Sequence, residues 1–254
     1  MENVINMEKN KKWIVIPDVH GRKFWRDAVN GKEKEKIIFL GDYLDPYEQE
    51  RITSEDAYQE LLDIIEFKRQ HPNNVVLLLG NHDLGYLDSG ICSVRRDNNK
   101  QRVYKKLFLD NLHLFDLIYE DNVGENKVLF SHAGIRTRWL RSNNWLFGTE
   151  DDFRPSLLNE LLHNDRSRQN LFITLADSSS FRGGIDSAGS VVWADIEEYV
   201  CNNDELPDYI QIFGHSLHSG GVWTIENKLW CVDCAMGFEV NGEPDSGEIN
   251  IPAA

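Results

Sequence analysis

Residues 75–86, "VVLLLGNHDLGY", begin with five apolar residues fit only for a buried strand and turn at once to Gly80, Asn81, His82 and Asp83. An amide, an imidazole and a carboxylate are costly to bury unless something pairs with them. The same event recurs in "WIVIPDVHG" (13–21), "IIFLGDYLD" (37–45), "VLFSHAG" (128–134) and "IQIFGHSLH" (210–218). Each apolar run ends in a small residue or proline, followed by a residue type that ligates metals. Apolar runs without alternation predict strands buried on both faces, in a parallel or mixed sheet covered by helices. Ligands of such sheets gather at the carboxyl ends of the strands.

Helices fill the gaps between these strands. "TSEDAYQELLDIIEFKRQHP" (53–72) opens on the capping residues Thr53 or Ser54 and carries Tyr58, Leu61, Leu62 and Ile65 at helical spacing. It stops at Pro72. A second helix running into a strand is predicted within 103–121, and a shorter helix in "SLLNELLHN" (156–164). "GVWTIENKLWCVDCAMG" (221–237) reads as a hairpin turning at Glu226, Asn227 and Lys228. Residues 136–190, with tryptophan- and arginine-bearing loops, Asp151, Asp152 and "ADSSSFRGG", interrupt the sheet pattern. They are expected to form a substrate-facing insertion in a single domain spanning 1–254.

Composition narrows the class. The 254 residues, 41% hydrophobic, suffice for a substantial core, and a formal net charge of -15 disfavours nucleic acid polymers and anionic membranes as partners. No stretch reaches the roughly 18 apolar residues of a membrane span. The N-terminus lacks a signal-peptide core. Four cysteines, Cys92, Cys201, Cys231 and Cys234, are too sparse for a secreted disulfide framework, so a cytoplasmic location is expected. "CVDC" has no second pair to complete a zinc site and reads as part of a strand.

Asp, His and Asn at converging strand ends suit divalent manganese, iron or zinc better than calcium, which prefers an all-oxygen shell. Asp18 and His20 reach one ion. Asp42 is the candidate bridge, giving one oxygen to each of two ions about 3.5–4 Å apart. Asn81, His132 and His215 supply the second ion. His82 is left over beside a ligand, on a turn, where it can face substrate as the general acid, with Asp45 holding its tautomer. Taken singly, each of these residues is as well explained by a turn or a core histidine. Together they point to hydrolysis of a phosphate ester by a metal-bridging hydroxide.

The motifs and their order resemble the calcineurin-like metallophosphoesterases, over residues 13 to about 238. "GDYLD", "SHAG" and "VVWAD" look most like the serine/threonine phosphoprotein phosphatase branch and its bacterial relatives, which include diadenosine tetraphosphate hydrolases. The resemblance implies an α/β sandwich of two mixed β-sheets flanked by α-helices, in four layers α/β/β/α. It places Asp18, His20 and Asp42 on one metal, Asp42, Asn81, His132 and His215 on the other, and His82 with Asp45 as the acid dyad.

Two departures stand out. Where that branch carries a phosphate-gripping arginine after "GDxxD", this chain has Pro46 and Tyr47. The replacement is sought in Arg182, between Phe181 and two glycines, or in Arg95 and Arg96, with Arg182 favoured. The nuclease and diesterase branches end in "GHxH", but here "GHSLH" puts His218 one residue late as a ligand. Three functions fit: a phosphomonoesterase acting on a phosphoprotein or small phosphorylated metabolite, a hydrolase of dinucleoside polyphosphates or other nucleotides, and a noncatalytic metal-binding scaffold. Retention of His82 and Asp45 argues against the scaffold.

Overall fold

The computed structural model describes residues 12–123, 125–202, 204, 206–217, 222–226, 228–233 and 247–250. Its first sheet is built from β1 (Lys12–Ile16), β2 (Lys36–Phe39), β3 (Val75–Leu78) and β4 (Phe115–Asp116), all parallel, with β10 (Gly247–Asn250) antiparallel against β1. The second runs in the order β5 (Ile118–Val123), β6 (Asn126–Ser131), β7 (Tyr209–Phe213), β9 (Leu229–Cys231), β8 (Trp223–Ile225). There β6, β7 and β9 are parallel, while β5 and β8 are antiparallel edges. Both sheets are therefore mixed. The predicted hairpin is β8–β9.

Side-chain alternation explains the layering. Trp13, Val15, Ile38, Leu40, Val76 and Leu78 share one buried cluster with Val128, Phe130 and Ile212, which is the seam between the sheets. Their neighbours Ile14, Ile16, Ile37, Phe39, Val75 and Leu77 point the other way, onto Ala57, Leu61, Ile64 and Ile65 of α2 (Ser54–Gln70). Both faces of the first sheet are thus covered, and this is why its strands show no polar alternation. The outer face of the second sheet is covered in part by α9 (Ile196–Cys201), whose Ile196 and Tyr199 pack with Phe213, Leu229 and Cys231. The result is the helix–sheet–sheet–helix order expected.

Helix α2 begins as its sequence dictates. The Thr53 hydroxyl accepts from the Asp56 N–H at 3.1 Å and the Asp56 carboxylate accepts from the Thr53 N–H at 3.1 Å, a closed capping box. It ends at Gln70, just before Pro72. α4 (Gln101–Asn111) runs into β4 and β5, and α7 (Ser156–His163) matches the short helix expected there. Between residues 136 and 190 the chain is more helical than loops would suggest: α5 (Thr137–Ser142), α6 (Asn144–Phe147), α7 and α8 (Arg168–Leu175) follow one another. Trp139, Leu158, Leu171 and Leu175 anchor this segment in the core. Among the described residues no helix is long and apolar enough to cross a membrane.

Candidate active site

The carboxyl ends of β1, β2, β3, β6 and β7 open on one edge of the sandwich, and the polar residues that follow them meet there. The turns are tight. His20, Asp42, Asp45 and His215 all take left-handed backbone, with φ of 45°, 52°, 59° and 64°. Such conformations cost of order 1–3 kcal/mol each and persist only where the surroundings over-determine them. Here the surroundings are a lattice of backbone hydrogen bonds. His20 N–H donates to the Asp42 carbonyl (2.7 Å), Gly21 N–H to Tyr43 (2.9 Å), and Gly214 N–H to His132 (2.8 Å). Two facing glycines allow the loops to touch. A Cβ on Gly41, whose φ is 112°, would lie 2.3 Å from the Gly80 nitrogen, and one on Gly80 would lie 2.1 Å from Asp42 Oδ1.

"GNHD" is not a turn. Gly80 is the N-cap of α3 (Asn81–Leu87), and Asn81, His82 and Asp83 form its first turn. Asp83 is the reason the helix starts there. Its buried carboxylate accepts from the Gly80 N–H (2.9 Å), the Asp42 N–H (2.7 Å) and the Tyr43 N–H (3.0 Å), so one side chain caps α3 and pins the loop after β2. Reading the sequence assigns Asp83 no task, because backbone donors from residue 42 are invisible at residue 83.

The donor set fits a pair of cations. His20 Nδ1 lies 2.7 Å from the Leu44 carbonyl and His132 Nδ1 lies 2.9 Å from the Leu40 carbonyl. A carbonyl can only accept, so each Nδ1 carries the proton and each Nε2 presents a lone pair. His132 Nε2 in turn lies 3.0 Å from Asn81 Oδ1 and 3.1 Å from His215 Nδ1. The unprotonated His132 Nε2 and the Asn81 amide oxygen, facing one another at such a distance, repel unless a positive charge sits between them. Asp42 stands between two such groups. Its Oδ1 accepts from the His82 N–H (2.9 Å), while Oδ2 is 3.6 Å from His20 Nε2 and 3.6 Å from His132 Nε2. Asp18, His20 and Asp42 converge as one potential ligand group, and Asp42, His132 and His215 as a second, with Asp42 shared. Among the described residues, His215 Nε2 is buried with no hydrogen-bond partner.

Burial sets the electrostatics. It lowers His20 and His215 well below the ordinary histidine range, with His82 adding to the shift at His20 and Arg182 at His215, so both rings are neutral ligands near pH 7. It pushes the Asp42 carboxyl up to about 7, aided by Asp18 and opposed by His82. The raised value means that the metal-free site holds a proton on Asp42 below about pH 7. A cation has to displace that proton. Manganese binding is therefore expected to weaken as pH falls through 7 and to release protons. Calorimetry in buffers of different ionisation enthalpy at pH 6 and pH 8 checks this; equal affinities with no proton release would contradict it.

His82 Nδ1 lies 2.8 Å from Asp45 Oδ2, and both side chains are buried. The three arginines differ in placement. Arg95, itself left-handed at φ 54°, brings Nη2 to 3.2 Å from His82 Nε2 and 3.3 Å from His20 Nε2, and its guanidinium stacks 3.8 Å from the Tyr47 ring. Arg96 turns away to the Gly85 carbonyl and Asn98. Arg182 reaches the back of the site: Nη2 donates to the His215 carbonyl (3.2 Å) and the Ser216 hydroxyl (2.8 Å), and Nε lies 2.6 Å from Asp195 Oδ2. Trp193 sets its ring edge-on to His215 at 5.4 Å. Cys231 of "CVDC" is a buried strand residue whose thiol donates to the Ser216 carbonyl at 3.1 Å. His218 and Cys234 lie outside the described residues.

The profile of the calcineurin-like phosphoesterases matches residues 12–219. The chain belongs to that family. It is a metal-dependent phosphoester hydrolase, and the converging carboxylate, imidazole and amide groups are the chemistry that family works with. No curated protein matches the phosphoesterase by sequence. Among solved structures, the cold-active protein-tyrosine phosphatase of a psychrophile, Shewanella sp., is similar with 17% identity and a TM-score of 0.54, covering 94% of this chain and 80% of that one. A point mutant of a cold-active protein tyrosine phosphatase is similar with 19% identity and a TM-score of 0.58 over the same shares, 94% and 80%. At these identities the likeness is one of fold.

Proposed function

We propose that the phosphoesterase hydrolyses phosphate monoesters, with Asp18, His20 and Asp42 holding one divalent ion and Asp42, Asn81, His132 and His215 the other, as manganese, iron or zinc in a cytoplasmic enzyme. The observation that carries the monoester reading is Arg95. Its guanidinium fork stands beside the candidate acid and a candidate ligand, 3.2 Å and 3.3 Å from the two Nε2 atoms. A monoester dianion offers free oxygens suited to such a fork, and a diester offers one charge fewer. Arg95 thus takes the place of the arginine absent at Pro46, and Tyr47, next along, supports it by stacking. Arg182 serves better as a brace: its contacts with Asp195, Ser216 and the His215 carbonyl fix the loop that presents His215. The segment 136–190, which carries Arg182, is read as the part that sets substrate choice.

When bound, two divalent ions polarise the phosphoryl group and make water acidic enough to attack near neutral pH. The chain does the rest. Arg95 holds the nonbridging oxygens so that the ester oxygen faces His82. Asp45 accepts a hydrogen bond from the His82 Nδ1–H, so that in the imidazolium form it is the Nε2 proton that is free to transfer. A P–O bond to the attacking water oxygen forms as that water gives up a proton to solvent, the ester P–O bond breaks with its electron pair going to the departing oxygen, and Nε2 gives its proton to that oxygen, to be regained from solvent. Free cysteines at 92, 201 and 231 fit a reducing compartment.

A panel of mono- and diesters with manganese-loaded protein tests this. Arg95→Ala is expected to lower kcat/KM for monoesters by roughly 10–100-fold, the worth of charge-assisted hydrogen bonds, with diesters hurt less and manganese content unchanged. Arg96→Ala should change little. Selective loss of monoester activity in Arg182→Ala, with Arg95→Ala harmless, would return the anchor to Arg182; a diester preference in the unaltered protein would overturn the monoester reading itself.

A further inference from the structure

Asp45 has two carboxylate oxygens, and the acid dyad uses one. Oδ2 meets His82 Nδ1 at 2.8 Å, while Oδ1 accepts from the Tyr86 hydroxyl. Tyr86 lies four residues after His82 on α3, so both side chains rise from one helix face, on either side of the same carboxylate. The phenol is wholly buried. The direction of its O–H is fixed, because its oxygen already accepts the Asp97 N–H at 3.0 Å, and its proton is left to face Asp45. Burial and the Asp45 carboxylate push the phenol far above its usual range, so it remains a donor at any working pH. The ring is held edge-on by Tyr104 at 5.0 Å, and Tyr104 stacks on Tyr58 at 5.5 Å.

We infer that Tyr86 is a positioning residue for the acid step: its hydroxyl locks the Asp45 carboxylate, and Asp45 thereby holds His82 in the orientation that delivers a proton to the leaving oxygen. The inference rests on the proposed acid role of His82. Without the hydroxyl, Oδ1 loses its buried donor and the carboxylate is free to rotate about its Cβ–Cγ bond. His82 then loses its fixed partner, while the candidate metal ligands, none of which touches Tyr86 in the contacts described, keep theirs. The Asp97 bond adds a tie between this device and the loop that bears Arg95, two residues earlier.

The test is a double-mutant cycle in the manganese-loaded full chain, with Tyr86→Phe, Asp45→Asn and both together, assayed on an alkyl phosphomonoester and on nitrophenyl phosphate. Tyr86→Phe is expected to lower kcat on the alkyl ester about tenfold, the scale of one charge-assisted hydrogen bond. KM should stay within about twofold and nitrophenyl phosphate should lose less, since its leaving group needs the proton less. In the Asp45→Asn background the added change should cost less than about twofold, because the hydroxyl acts only through Asp45. Equal costs in both backgrounds, or no cost in either, overturn the assignment. So does a Tyr86→Phe protein that binds less manganese or melts far lower, which would make the hydroxyl a prop of the fold. His82→Ala in parallel separates the two ideas: if its loss ignores the leaving group, the acid reading falls and this inference with it. If the His82 loss follows the leaving group and Tyr86→Phe is inert, Tyr86 alone is excluded.

Discussion

Asp42→Asn is expected to reduce manganese content and turnover together, turnover by more than about 100-fold, above the 10–100-fold that follows loss of a group merely supporting a ligand. The substitution isolates charge. Asparagine tolerates the left-handed backbone at φ 52°, and its amide oxygen can still accept from the His82 N–H at the place where Oδ1 now does. What it cannot do is present an anionic oxygen between His20 Nε2 and His132 Nε2, each now 3.6 Å from Oδ2. Elemental analysis alongside kinetics checks the pairing of effects. Full activity at two ions per chain would remove Asp42 from the bridging position.

His82→Ala should leave the manganese content intact and lower turnover by roughly 10²–10⁴-fold, the usual worth of a positioned general acid. Alanine at the second position of α3 keeps the helix, and the Asp83 cap is untouched. The loss should be greatest for alkyl esters and shrink for aryl phosphates, whose leaving oxygens depart without help. A loss of equal size for both would mean that His82 serves another purpose, of which holding Arg95 Nη2 at 3.2 Å is the nearest at hand.

Much of the candidate site is legible in the sequence because the fold concentrates it where apolar runs end. Five runs that can only be buried strands each release a ligand-type residue at the same end, and parallel pairing brings those ends to one edge. That logic reaches Asp18, His20, Asp42, Asn81, His132 and His215 with no knowledge of their contacts. It stops at residues whose task depends on a partner distant in sequence. Asp83 caps its own helix through the Gly80 N–H and also accepts backbone N–H groups of residues 42 and 43, about forty positions earlier. Tyr86 sits at helical spacing from His82, but seven residues interrupted by Gly85 carry too little periodicity to mark α3 as a helix. The arginines are the least legible. Residues 88–100 are polar and aperiodic, so nothing local says that Arg95 turns inward and Arg96 outward, and nothing near Arg182 announces its ion pair with Asp195.

The candidate ligands divide between the two sheets. Asp18, His20, Asp42 and Asn81 follow strands of the first, and His132 and His215 follow β6 and β7 of the second. Toward that edge the seam is filled by apolar side chains such as Leu40, Leu78 and Phe130, whose attraction is non-directional, whereas groups sharing a cation would be fixed in distance and direction. A cation in this place acts as a rivet through two plates. Chelation should therefore loosen the sandwich at the rim where the five strands end, and far less at the opposite rim where they begin. Hydrogen exchange at the amides of residues 40–42 and 213–215, set against that at 13, 37 and 128, would trace the gradient along each strand.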